Sequence, residues 1–269
     1  MRSILQAGGL RASLGRLVLA SVVAVVFSGS ARADIIDLTG MTDSITHGGA
    51  IFSRTELMSS GTGTIMSFVQ LSHSGASGYE QGWNTDHRPY PDLPGDEAGD
   101  NNAQASANFN RSLLLSDVPL VNIMGVNYRE FLLDINEPKN MDRFLSMERL
   151  ELYQQATPNI GTYAGLTNDQ FVLGAGHSVK LDYSLSPGSG GADLFVYIPH
   201  SLFDGGGDYV YLFSRFGDMT GFEAEDGFEE WAVREVDEPV PPIPEPASMI
   251  LLGSGLAGLL WRRRKAARG

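Results

Sequence analysis

The chain has 269 residues, a formal net charge of −13, 42% hydrophobic residues and no cysteine. Without cysteine there are no disulfide staples, thiolate zinc sites, iron–sulfur clusters or cysteine nucleophiles, and the fold must hold by its core alone. The acidity argues against nucleic acid as a partner, because phosphate binding depends on Lys and Arg.

The charge is unevenly spread. Residues 1–33 carry four basic residues and no acid, and residues 262–269 carry five and no acid. Between Asp34 and Pro244, 31 acids stand against 10 Lys and Arg, a net of −21. Both ends read as addresses, and residues 34–236 read as a single ectodomain. Residues 1–33 have the parts of a secretory signal peptide. Arg2, Arg11 and Arg16 form a basic start, 17–27 is an apolar run, and Ala31-Arg32-Ala33 is a small-x-small cleavage site. Cleavage between Ala33 and Asp34 is expected, through the Sec translocon and signal peptidase. An 11-residue apolar helix rises about 16 Å, short of a bilayer core of about 30 Å.

Period-2 alternation dominates the body. Strands are expected over 64–71, 118–123 and 126–135, with Gly125 turning the chain between the last two. Between 74 and 110 lies a polar loop with six acids and the aromatics Tyr79, Trp83, Tyr90 and Phe109, and a short strand is expected within it near 82–85. Residues 140–150 are the nearest approach to a helical stripe and have room for one or two turns. Leu150 and Leu152 alternate with Arg149 and Glu151. Val179, Leu181, Tyr183 and Leu185 alternate with Lys180, Asp182 and Ser184. Residues 187–191 (PGSGG) read as a hairpin loop. Residues 193–198 (DLFVYI) and 209–214 (YVYLFS) are aromatic and β-branched, as strands prefer. The expectation is all-β, with nine to eleven strands in an antiparallel two-sheet sandwich of jelly-roll type.

Residues 237–246 (DEPVPPIPEP) form a stiff, extended linker, because proline fixes φ and lacks an amide donor. Residues 247–261 are apolar and uncharged, expected as a short transmembrane helix about 22 Å long. The basic tail 262–269 follows, and its Arg262, Arg263, Arg264 and Lys265 would stay cytoplasmic by the positive-inside rule. Pro244-Glu245-Pro246, a short hydrophobic helix and an arginine cluster resemble the PEP-CTERM sorting signal. That resemblance implies a Gram-negative bacterium that makes extracellular polysaccharide. It also implies an exosortase that processes the tail, and an inner-membrane-anchored precursor delivered to the cell surface or matrix. A G-x-G-x-x-G spelling at 253–258 falls inside the apolar segment, with no strand before it, and is not a dinucleotide site.

The body offers weaker chemical signals. Five histidines make no H-E-x-x-H, and no G-x-S-x-G is present. Calcium takes six to eight loop oxygens. Candidate ligands are Asp96, Glu97, Asp100, Asn101 and Asn102, then Asp134 with Asn136 and Glu137, then Asp204 with Asp208, and fourth Asp218, Glu223, Glu225 and Asp226. Tyr79, Trp83 and Tyr90 are candidates for stacking on sugars. The reading is a non-enzymatic component of the cell surface or polysaccharide matrix. The alternatives are a calcium-dependent carbohydrate-binding module and, behind it, an extracellular polysaccharide hydrolase.

Overall fold

The computed structural model describes residues 34–40, 44–54, 65–72, 78–88, 106–137, 143–174, 176–185, 191–203, 205–224 and 227–234. These residues are all-β and lie in two sheets. The first runs β1 (Asp34–Leu38), β11 (His177–Asp182), β9 (Phe144–Gln155), β13 (Tyr209–Phe216), β5 (Glu80–Trp83). In it β10 (Asp169–Leu173) also pairs with β9, and β6 (Leu113–Leu114) with β13. The second runs β2 (Ser44–His47), β3 (Ala50–Ser53), β12 (Leu194–Pro199), β8 (Val126–Asp134), β14 (Glu229–Arg234), β4 (Ile65–Leu71), with β7 (Leu120–Ile123) also on β8. Among these pairings only β1 with β11 is parallel.

Fourteen described strands exceed the nine to eleven expected. The surplus consists of short strands placed end to end along long ones. β11 and β10 share one edge of β9, at 144–147 and 150–153. β5 and β6 share one edge of β13, and β14 and β7 share one edge of β8. The strand expected near 82–85 is β5. Gly125 turns the chain as expected: Met124 and Gly125 both have positive φ, at 52° and 87°, between the paired Ile123 and Val126. Two consecutive positive φ values suit the two-residue turn whose twist matches paired strands.

The helical turn considered for 140–150 is not formed over its described part, where β9 runs from Phe144. Leu145, Met147, Leu150 and Leu152 all belong to the core. Opposite β9, β13 pairs Phe216 with Met147 and Arg215 with Arg149, so Glu148 is an extra residue, a β-bulge. The bulge shifts the inward positions from odd to even numbers. It also sets Met147 and Leu150 three residues apart, a spacing that imitates a helix in the sequence.

The main core joins side chains of both sheets, including Leu150, Leu152 and Leu212 from the first and Phe131, Leu133 and Trp231 from the second. Polar links also cross between the sheets. The Trp231 indole Nε1 donates to Ser214 Oγ at 3.0 Å. Arg54, after β3, donates from Nη1 to the Leu38 carbonyl at 3.2 Å and from Nη2 to the Asp182 carbonyl at 2.9 Å. Its Nη2 also lies 3.5 Å from Asp193.

On the outer face of the first sheet, residues 156–166 form a strap over a smaller aromatic core of Trp83, Tyr153, Tyr211 and Phe213. Trp83 Nε1 and Thr85 Oγ1 both donate to the Ile160 carbonyl, at 3.2 and 2.9 Å, and Tyr211 donates to the Thr157 carbonyl at 2.6 Å. The strap covers one part of that face, and the candidate site lies on another.

Candidate functional site

The site is a cleft of about 640 Å³ lined by residues of β1, β11, β9 and β13 and by the loop after β13. Its lining includes Ile35, Glu148, Arg149, His177, Arg215 and Asp218. The bulge explains why two successive residues, Glu148 and Arg149, both reach it. In a regular strand neighbours point to opposite faces, whereas a bulge re-aims one of them.

The loop is fixed by main-chain and side-chain bonds to β9. Gly217 N donates to the Ser146 carbonyl at 2.9 Å, and Ser146 N donates to the Phe222 carbonyl at 3.0 Å. Asp218 N donates to Glu148 Oε2 at 3.2 Å, and Met219 N to Ser146 Oγ at 3.3 Å. The loop leaves β13 through Gly217 at φ 86°, where a Cβ would stand 2.4 Å from the Ala224 amide nitrogen. Only glycine fits there.

Two guanidiniums dominate the electrostatics. Arg149 and Arg215 are directly opposite in register. Arg149 donates from Nε and Nη2 to Glu151 Oε1, at 3.0 and 2.5 Å, and from Nη2 to the Tyr163 hydroxyl. Its carbon lies 4.8 Å from the Phe213 ring centre. Burial alone would lower its pKa, but Glu151 and Tyr163 more than offset this and hold it above its usual value. Tyr153 and Tyr163 in turn donate to Glu151 Oε2, at 2.6 and 2.7 Å, and burial raises both phenols. Arg215 pairs with Asp218 at 2.9 Å and stacks on Tyr79, 4.1 Å from the ring centre.

Glu148 differs from its neighbours. Burial raises its carboxyl above the ordinary glutamate range, against the lowering effect of Ser146 and the Asp218 amide, and the Asp218 charge adds to the rise. Its Oε1 is enclosed and has no hydrogen-bond partner. His177 lines the same cleft and packs on His47, with ring centres 4.6 Å apart.

The residues singled out in the sequence are dispersed. Trp83 is fully buried in the aromatic core, so its ring has no face for a sugar. Tyr79 is half-buried, and Arg215 already sits over its ring. Asp134 is 1% exposed and near enough to raise the pKa of Asp193. Asn136 accepts from the Tyr183 hydroxyl at 3.0 Å. Glu137 and Glu80 both lie near Glu229, and burial first and then Glu80 drive the Glu229 carboxyl well above its usual range. Asp208 is exposed, and its carbonyl accepts from Leu115 N at 2.8 Å. Asp218, from the fourth acidic cluster, lines the cleft, paired with Arg215. Among the described residues no three His, Asp or Glu side chains form a group that could hold a metal ion. Tyr90, Asp96, Glu97, Asp100, Asn101, Asn102, Asp204, Glu225, Asp226, Ala33 and the whole tail from residue 235 lie outside the described residues.

Sequence reasoning missed Glu148, Arg149 and Arg215 as a constellation. One signal was available. In 145–152 (LSMERLEL) the apolar positions move from 145 and 147 to 150 and 152, a phase slip that marks a bulge at Glu148 and Arg149.

Among the described residues no helix is long and apolar enough to cross a membrane. No curated protein and no solved structure matches the chain. A family model of the PEP-CTERM protein-sorting motif matches residues 242–265, which span Pro244, Glu245 and Pro246 and the cluster from Arg262 to Lys265. The chain therefore carries the PEP-CTERM sorting motif, and it is made as an exported, membrane-anchored precursor in a Gram-negative bacterium and sorted by an exosortase.

Proposed function

We propose that this protein is a non-enzymatic component of the cell surface or of the extracellular polysaccharide matrix. The observation that carries the reading is the sorting motif at 242–265, attached to an acidic all-β body. Export begins at the Sec translocon, signal peptidase cuts between Ala33 and Asp34, and the exosortase then acts on the tail. A strongly negative body repels anionic lipid and stays soluble outside the cell. The calcium-dependent alternative places the ion on the acidic side chains of Asp96, Glu97, Asp100 and Asp204.

One observation favours a second reading, polysaccharide hydrolysis. Glu148 and Asp218 line one cleft, and a carboxyl raised by burial beside a second carboxyl group is an arrangement that general acid catalysis uses. The binding role is preferred because the Asp218 carboxylate is engaged by Arg215 and its backbone amide by Glu148.

The test is to incubate the full-length protein with the producing organism's own polysaccharide, with calcium and with a chelator. Bound polymer and new reducing ends are both measured. Binding without cleavage supports the matrix role, and loss of binding in chelator makes it calcium-dependent. New reducing ends that vanish in Glu148→Gln would replace the matrix role with hydrolysis. No binding in either condition would remove polysaccharide from the account.

A further inference from the structure

In a body with only 10 basic residues, two of them stand directly opposite each other on neighbouring strands and line the same cleft. Opposed residues in an antiparallel pair have Cα atoms about 4.5–5.5 Å apart, and like charges placed there are destabilising. Each cation is offset by a carboxylate of its own, Glu151 for Arg149 and Asp218 for Arg215, and the two still face one cleft. Each is fixed for use: Arg149 by Glu151 and the Phe213 ring, Arg215 by Asp218 and the Tyr79 ring. The bonds to Glu151 and Tyr163 use Nε and Nη2 of Arg149, which leaves the Nη1 edge of that fork outside the pairing.

The geometry points to this cleft as the place where the protein holds the carboxylate of an acidic sugar unit, between the Arg149 and Arg215 guanidiniums. A ligand carboxylate relieves the repulsion between the two cations and accepts charge-assisted bonds from forks that are already immobile. The ring of the sugar has partners as well. Thr220 adds a hydroxyl to the lining for the sugar ring. Ile35, half exposed, and Met219 offer apolar surface to sugar C–H groups. Burial favours the neutral Glu148 carboxyl, which limits its repulsion of an anionic ligand. This inference rests on the matrix reading, in which the polymer supplies the acidic unit.

The test uses the full-length protein purified in detergent, with trigalacturonate as the probe and galactotriose as the neutral control. Binding is read by calorimetry and folding by thermal melting. Trigalacturonate is expected to bind at least about 10-fold more tightly than galactotriose. Losing one charge-assisted partner in Arg215→Gln is expected to weaken it roughly 10- to 100-fold. Arg149→Lys, which keeps the charge and loses the fork, is expected to weaken it as well, with Glu151 still paired. Equal binding of the two sugars, or trigalacturonate binding untouched by Arg215→Gln, overturns the inference. A folded protein that ignores trigalacturonate yet binds the producing organism's polysaccharide overturns the cleft assignment and leaves the matrix role standing. Failure of both probes withdraws both.

Discussion

Replacing Arg54 by Met tests how the two sheets are tied. Arg54 is 2% exposed and Asp193 1% exposed, and the guanidinium also serves the carbonyls of Leu38 and Asp182 on the opposite sheet. Methionine fills much of the space and supplies none of the donors. The substitution leaves two buried carbonyls and the Asp193 carboxyl without their donor, which together costs about 3–5 kcal/mol. For a body of this size about 1 kcal/mol moves Tm by about 2–4 °C, so the loss should lower Tm by roughly 10 °C. Urea unfolding followed by tryptophan fluorescence measures it, since Trp83 and Trp231 are both fully buried. The loss should also depend on pH. Burial raises the Asp193 carboxyl well above its usual range, while the Ile135 amide and Arg54 lower it. A carboxyl with a raised folded pKa contributes most below its unfolded value, about 3.9, and loses that contribution as pH rises through the folded value. Without Arg54 the folded value rises further, so the gap between variant and parent widens as pH rises through the parent's folded value. A gap under about 1 kcal/mol at neutral pH, or one constant as pH rises, would refute the argument.

Four further outcomes are expected. Trp83→Ala should cost about 3–5 kcal/mol, and Trp83→Phe about 1 kcal/mol for the lost bond to the Ile160 carbonyl, with polysaccharide binding unchanged in the Phe variant; weaker binding at equal stability would place the indole in a ligand site. Gly217→Ala forces a Cβ onto the Ala224 amide at positive φ and should cost at least about 1 kcal/mol in urea unfolding, while trigalacturonate titration shows weaker binding because Asp218 moves with the loop. Burial and the nearby Glu80 raise the Glu229 carboxyl, so it stabilises the fold below its unfolded value of about 4.3 and less as pH rises through the folded one; Glu229→Gln should therefore gain stability relative to the parent between pH 5 and pH 8. Replacing Pro244, Glu245 and Pro246 together by alanine should leave the precursor unprocessed in its host, seen as a single full-length band on an immunoblot.

Much of the fold was legible because burial on one face writes a period of two into the sequence. β8, β12 and β13 fall close to the runs read at 126–135, 193–198 and 209–214. What was not legible is tertiary. β1, β2 and β3 are short, and β1 joins the sheet by parallel pairing with β11, a partner more than a hundred residues away. Trp83 sits in a polar stretch, and nothing nearby in the sequence announces the strap at 156–166 that covers it. The sorting motif was legible because an enzyme reads it as a linear tag, with no fold needed to assemble it. The cleft needs β9, β13 and β11 brought side by side, and only the phase slip at Glu148 hinted at it locally.

The opposed arginines give the sharpest separation of stability from use. Arg215→Gln removes an ion pair with Asp218, whose side chain is 43% exposed, so that loss is about 0–1 kcal/mol after solvent screening. It removes the stacking on Tyr79, worth about 0.5–1 kcal/mol. Against these it relieves the repulsion from Arg149 across the pair, of the same order. The net change should lie within about 1 kcal/mol of zero, while the response to an acidic sugar falls at least about 10-fold. A residue whose removal leaves the fold unchanged and abolishes binding is kept for its ligand. If urea unfolding instead shows Arg215→Gln losing more than about 2 kcal/mol, the arginine pair is a structural brace, and the cleft loses its strongest claim to a ligand.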